Sequence, residues 1–177
     1  MKKFINILSA TILIVLLNSC TSAGVIPSEK VANLLQSGEF TFMAQKANPT
    51  NYDVVNVMNS LPTSSSSRML ELDYGYTIQL KKSELSVELP YFGRMYNPSY
   101  DTSKNSYRFT SKDFTVNDQP GKNGSTVYTM LTKDQPNIRR IIMEVFKNGK
   151  AYVSIDSNDR ATISYNGYIM ENTVPKK

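Results

Sequence analysis

RMLELDYGYTIQLKKSELSVEL, residues 68–89, decides the fold class. Leu70, Leu72, Tyr74, Tyr76, Ile78 and Leu80 fall on every second position, with mostly polar residues between them. A period of two is the side-chain repeat of an extended strand with one buried face. Lys82-Ser83 is polar enough to turn, and Leu85, Val87 and Leu89 then resume the alternation. The stretch reads as two half-buried antiparallel strands, with Gly75 marking a bulge or bend in the first.

The same period extends in both directions. Phe40, Phe42 and Ala44 alternate with Thr41, Met43 and Gln45 ahead of Pro49. Further strands are expected at 107–110, 114–117, 126–132, 138–146, 151–155 and 161–169. Asn148-Gly149 predicts a tight hairpin between 138–146 and 151–155, because an Asn-Gly pair tolerates positive φ at both central turn positions. Asn123-Gly124 is a second turn candidate, and Asn166-Gly167, inside a strand pattern, is as compatible with a bulge. Asp156-Ser157-Asn158-Asp159 begins like a calcium loop, but Arg160 and Ala161 stand where further ligands and the turning glycine belong, so it reads as a hairpin turn. Roughly nine strands without a long helical pattern between them predict an all-β fold, a single antiparallel barrel or sandwich of lipocalin-like kind.

One short helix is expected at about 28–37. Val31, Ala32, Leu34 and Leu35 have helical spacing, Ser28 is the candidate N-cap and Gly38 the stop. Thr50 to Leu61 fits a helical face or a strand, and Ser64 to Ser67 reads as a solvated loop.

Upstream of that helix, Lys2 and Lys3, an apolar run from Phe4 to Leu17, and Ser19 before Cys20 form a bacterial lipoprotein signal. The run is interrupted by Asn6, Ser9 and Thr11 and falls short of the about 20 apolar residues of a membrane-spanning helix. Residues 1–19 are therefore expected to be removed, Cys20 to carry lipid, 20–27 to act as a tether and 28–177 to form one β-rich domain. The strands are shorter and more charged than those of an outer-membrane barrel. The expected partner is thus the membrane, reached through the anchor.

Composition narrows the chemistry. Cys20 is the only cysteine, so no disulfide is available within the chain, and histidine is absent, which removes the commonest general base and zinc ligand. Lys2 and Lys3 supply two of the five excess positive charges, and the remaining basic residues are scattered rather than gathered on one face. No nucleic-acid partner is expected. Glu71 and Asp73 share one strand face, as a solvated surface does, rather than flanking a cleft as glycosidase carboxylates must. No nucleophile elbow or phosphate loop occurs, and no cofactor or metal is expected.

The candidate site follows the deciding stretch. From Leu89 to Tyr100 the chain gathers Tyr91, Phe92, Tyr96, Tyr100, two prolines and Arg94. The aromatics offer flat surfaces with polar tips, and Arg94 can fork to a carboxylate or phosphate. The competing reading is a plug, with Pro90 ending a strand and the rings closing the core.

Leu89-Pro90-Tyr91-Phe92-Gly93-Arg94-Met95-Tyr96 resembles a family of Bacteroidota lipoproteins, domain of unknown function 4251. Phe40 to Ala44 resembles its opening strand, and 146–151 with 160–167 its closing hairpin. The resemblance implies a cell-envelope lipoprotein and supplies no catalytic residues. Surface-exposed lipoproteins of that phylum typically carry acids directly after the cysteine. Here the first acid is Glu29, which favours the periplasmic side of the outer membrane. The expected activity is non-enzymatic binding of a small molecule, a peptide or an envelope partner. The alternatives are a structural envelope component and a carboxylate-dependent enzyme on cell-wall or glycan material.

Overall fold

In the computed structural model, which describes residues 26–50, 55–57, 60, 68, 70–96 and 105–172, α1 (Ser28–Ser37) precedes nine strands. They are β1 (Phe40–Pro49), β2 (Thr77–Lys81), β3 (Glu84–Pro90), β4 (Ser106–Ser111), β5 (Phe114–Pro120), β6 (Thr126–Thr132), β7 (Ile138–Val145), β8 (Lys150–Ser157) and β9 (Ile163–Met170). They form one sheet in the order β4-β3-β2-β1-β9-β8-β7-β6-β5, antiparallel at every pairing. The fold is an all-β, nearly closed barrel with one short helix, which resolves the choice between barrel and sandwich.

An antiparallel ring closes only with an even number of strands, since neighbours must alternate in direction. Here β4 and β5, at the two ends of the order, run the same way and are joined only by Lys112 and Asp113. They are two halves of one bent strand. The first half pairs with β3 and the second with β6, so nine strands occupy eight positions. The Asp134 carboxylate clamps the bend: it accepts from the Ser111 hydroxyl at 2.5 Å and from the Lys112 N–H at 2.9 Å. These bonds hold its pKa below the ordinary carboxylate value.

Alternation places Ile78 and Leu80, then Leu85, Val87 and Leu89, inside, where each is almost fully buried. Phe40, Phe42, Met130, Ile141, Met143, Ile155, Ile163, Tyr165 and Ile169 fill the rest of the interior, each less than 2 % exposed. A fully buried large apolar side chain contributes roughly 1.5–3 kcal/mol, so this packing carries the fold in a chain without disulfides. Val31 and Leu34 lay α1 over the end where β1 begins, and the Tyr128 hydroxyl donates to the Leu35 carbonyl at 3.2 Å.

Several local expectations change. Ser28 is the first helical residue rather than the cap; Pro27 holds the N-cap position with no side-chain bond, while Gly38, at φ 67°, ends the helix as expected. The regular strand begins at Thr77, not Leu70. The Leu72 N–H donates to the Gln45 carbonyl and the Ala44 N–H to the Tyr76 carbonyl, so the segment follows β1 but loops outward at Tyr74-Gly75, where Gly75 has φ 120°. The loop lies beside the register shift of β1 between Ala44 and Lys46. Gly167 stands opposite Ala44 there, and a Cβ on it would run into the Met43 carbonyl oxygen.

The β7–β8 hairpin is present, but with a three-residue loop, Lys147 to Gly149. The Gly149 N–H donates to Phe146 at 2.9 Å, the Phe146 N–H to Lys150 at 2.9 Å, and only Gly149 has positive φ, at 80°. That is a turn followed by a glycine bulge. Positive φ at both residues occurs instead at Asn123-Gly124, with φ 55° and 74°. Residues 55–57 and 60 are helical, in the segment whose sequence fitted either state. Cys20, Ser64 to Ser67 and Tyr100 lie outside the described residues.

Candidate functional site

Beyond Pro90 the chain crosses the barrel mouth remote from α1. Met95 pairs with Arg160 as an isolated antiparallel bridge, the Tyr96 N–H donates to the Asp159 carbonyl at 2.8 Å, and the Ala161 N–H donates to the Arg94 carbonyl at 3.0 Å. The Tyr91 hydroxyl lies 2.8 Å from the Arg94 carbonyl oxygen and 3.0 Å from that of Ala161. Gly93 passes directly under this hydroxyl: a Cβ there would lie 2.5 Å from it.

Inside this crossing sits Arg160, only 7 % exposed. Its guanidinium carbon is 5.1 Å from the Tyr91 ring centre and 4.9 Å from that of Tyr107, and the two rings meet edge to face at 5.6 Å. Its Nη2 donates to Asp159 Oδ2 at 2.9 Å and its Nη1 to the Ser106 carbonyl at 3.3 Å. The Tyr107 hydroxyl bonds Ser157 Oγ at 2.8 Å, and the Tyr165 hydroxyl donates to the Pro90 carbonyl at 2.6 Å. Burial pushes the Tyr91 hydroxyl up to about 12 against the opposing pull of Arg160. Burial also raises Tyr107 and Tyr165 well above the ordinary tyrosine value. All three stay protonated near neutrality and serve as hydrogen-bond partners rather than bases.

Of the residues singled out in the sequence, Tyr91 enters this cluster and half-buried Phe92 packs against the core. Arg94 and Tyr96 point to solvent at the rim, Tyr96 being 58 % exposed. Sequence reasoning missed Arg160, Tyr107, Tyr165 and Ser157. Arg160 sits in a turn that reads as surface, and apart from the adjacent Asp159 its partners come from the crossing segment and β4, more than 50 residues away in sequence. The adjacent Asp159-Arg160 pair was the one local signal.

The second feature is an open groove of about 490 Å³ beside β5. Leu35 at the end of α1, Leu80 of β2, Phe114 and Val116 of β5 and Tyr128 of β6 are its apolar lining residues, beside polar ones from the end of α1 and the β2–β3 turn. Lys82 on the β2–β3 turn and Asp118 on β5 stand among its walls. It exists because β5 leaves the side of β3 after the bend. Tyr128 anchors it, edge to face on Phe40 at 5.3 Å, with its hydroxyl pushed up to about 12 by burial and, second, by the Asp118 charge. No local motif marks these residues; what unites them is the bend.

Among the described residues, no group of three or more His, Cys, Asp or Glu side chains is placed to hold a metal ion, and no helix is long and apolar enough to cross a membrane.

The architecture defines the class, a small antiparallel barrel with one bent strand spanning its seam and a helix over one end. The family model for "Domain of unknown function (DUF4251)" matches residues 27–169, and the chain belongs to that family. Its fold is also similar to the crystal structure of a DUF4251 family protein from Bacteroides eggerthii DSM 20697, with a TM-score of 0.47, 12 % identity, and coverage of 81 % of this chain and 87 % of that one. No curated protein matches.

Proposed function

We propose that this chain is a lipoprotein of the cell envelope, anchored through Cys20 on the periplasmic face of the outer membrane, that works by binding rather than catalysis. The groove beside β5 is the observation that carries the reading. It combines apolar and polar lining residues in a volume suited to a small molecule or a short segment of a partner. The Lys2-Lys3, apolar-run, Ser19-Cys20 pattern supports the anchor. Ile26 lies six residues beyond Cys20, within about 21 Å of it at full extension, so the α1 end with its groove stays near the bilayer.

A second reading, a structural envelope component without ligand, is favoured by one observation, the interior filled with side chains. Thermal unfolding of the purified mature protein separates the two, because a ligand that prefers the native state must raise its stability. An envelope extract that raises the midpoint supports binding. No shift at any extract concentration overturns it in favour of the structural role. For the anchor, Cys20→Ala should abolish membrane retention, and a free thiol on the membrane-bound wild type would refute lipidation.

A further inference from the structure

We propose that the groove beside β5 takes an extended segment of a partner polypeptide as an added strand; this rests on the reading of the chain as a binding module. The phase of the β5–β6 ladder carries the argument. Phe114 stands opposite Thr132 and Pro120 opposite Thr126. Just beyond either end, the Lys133 N–H donates to the Asp113 carbonyl at 2.8 Å and the Gly121 N–H to the Ser125 carbonyl at 2.8 Å. Opposed residues of an antiparallel pair alternate between exchanging both hydrogen bonds and exchanging none. The odd-numbered residues of β5 therefore face β6 with their N–H and C=O groups. Phe114, Val116 and Asp118 turn theirs to the other edge.

Those three are also the β5 residues that line the groove. No strand pairs with that edge among the described residues. A hydrocarbon ligand would cover these N–H and C=O groups without satisfying them, which is unfavourable. A peptide strand brings the complementary row and sets alternate side chains on the apolar lining residues. Lys82 and Asp118, lining residues from different elements and in no ion pair among the described residues, suit an occupant carrying both signs of charge. Pro120 closes the row at its far end, because it has no N–H to offer. The docked stretch is thus roughly five residues, at about 3.4 Å each.

The probe is a phage-displayed library of random linear heptapeptides panned on the purified mature protein. An enriched peptide is expected to slow hydrogen exchange at the Phe114, Val116 and Asp118 amides at least tenfold. N-methylation at alternate peptide residues should weaken binding at least tenfold, and at the intervening ones hardly at all. Val116→Pro removes a groove-facing donor and no bond to β6, so it should weaken binding by a similar factor with a midpoint near wild type. If that variant fails to fold, the N-methylated series decides. Binders indifferent to both changes, or protection at other amides, overturn the proposal. A silent library together with stabilisation by an envelope extract or by oleate overturns the peptide and leaves the binding module standing. Silence from all three probes overturns both.

Discussion

The barrel is incomplete in two places, and it treats them in opposite ways. At the mouth crossed by Tyr91 to Tyr96, every polar group described above meets a partner from the same chain: Arg160 has Asp159, Ser106 and two rings, Tyr107 has Ser157, and Tyr165 has Pro90. At the β5 edge the backbone of Phe114, Val116 and Asp118 turns outward into an open groove of mixed lining. A dense aromatic segment in a sequence thus need not mark a binding surface. It can be the material that closes a barrel, while, among the described residues, unpaired backbone groups sit on a strand edge with an ordinary sequence.

If the mouth is a lock, its removal should be felt in stability first. Arg160→Leu strands Asp159 and empties the space between two rings. It should lower unfolding free energy by about 3 kcal/mol in urea titrations, and Arg160→Lys should recover only part, since an ammonium lacks the fork. A loss below about 1 kcal/mol would break the contrast between the two regions.

Tyr107→Phe deletes one buried hydroxyl bond and should cost about 1–2 kcal/mol. The pH dependence sharpens the same point. The buried tyrosines titrate higher in the folded chain than the roughly 10 of an unfolded one, so their contribution is fully present below pH 10. It is lost as pH rises from about 10 through the value of about 12 for Tyr91 and beyond. Unfolding midpoints should be level up to pH 9 and fall steeply above 10, with a shallower fall in Tyr107→Phe. Equal slopes in variant and wild type would remove the tyrosines from the lock.

At the α1 end, Gly149→Val should cost about 1 kcal/mol or more, because φ is 80° and the added Cβ would press on Ile26 at 2.7 Å. Gly149→Ala should cost less. Unchanged midpoints in both would misplace the turn. The smallest effect is expected for Arg94→Ala, which trims an exposed rim residue and should stay within about 0.5 kcal/mol in the same titrations.

Much of the barrel was legible because its strands are half-buried. Alternation from Ile78 to Leu89 and from Thr126 to Thr132 gave those elements to within a residue or two, and Gly38 gave the helix end. The bend at Lys112-Asp113 was not legible as such. Two polar residues between strands look the same whether the chain reverses or continues, and direction is set by pairing with β3 and β6 far away. The groove depends on that bend, so it was hidden too. At the mouth, Tyr91 was visible as an aromatic beside a proline, but Arg160 was not, because a charge in a turn reads as solvated unless its partners are known. The loop at Asn148-Gly149 was misjudged in type, since an Asn-Gly pair does not fix loop length when the register of Phe146 and Lys150 can absorb one more residue.

The central claim is that partners engage the β5 edge and not the mouth. Thermal unfolding of wild type, Val116→Arg and Arg94→Ala, each with and without the same envelope extract, tests it most directly. Val116→Arg places a long charged chain among the apolar lining residues, while Arg94→Ala alters only the opposite rim. The account predicts equal stabilisation of wild type and Arg94→Ala and none of Val116→Arg. Stabilisation that survives Val116→Arg and disappears in Arg94→Ala would contradict it and move the site to the mouth.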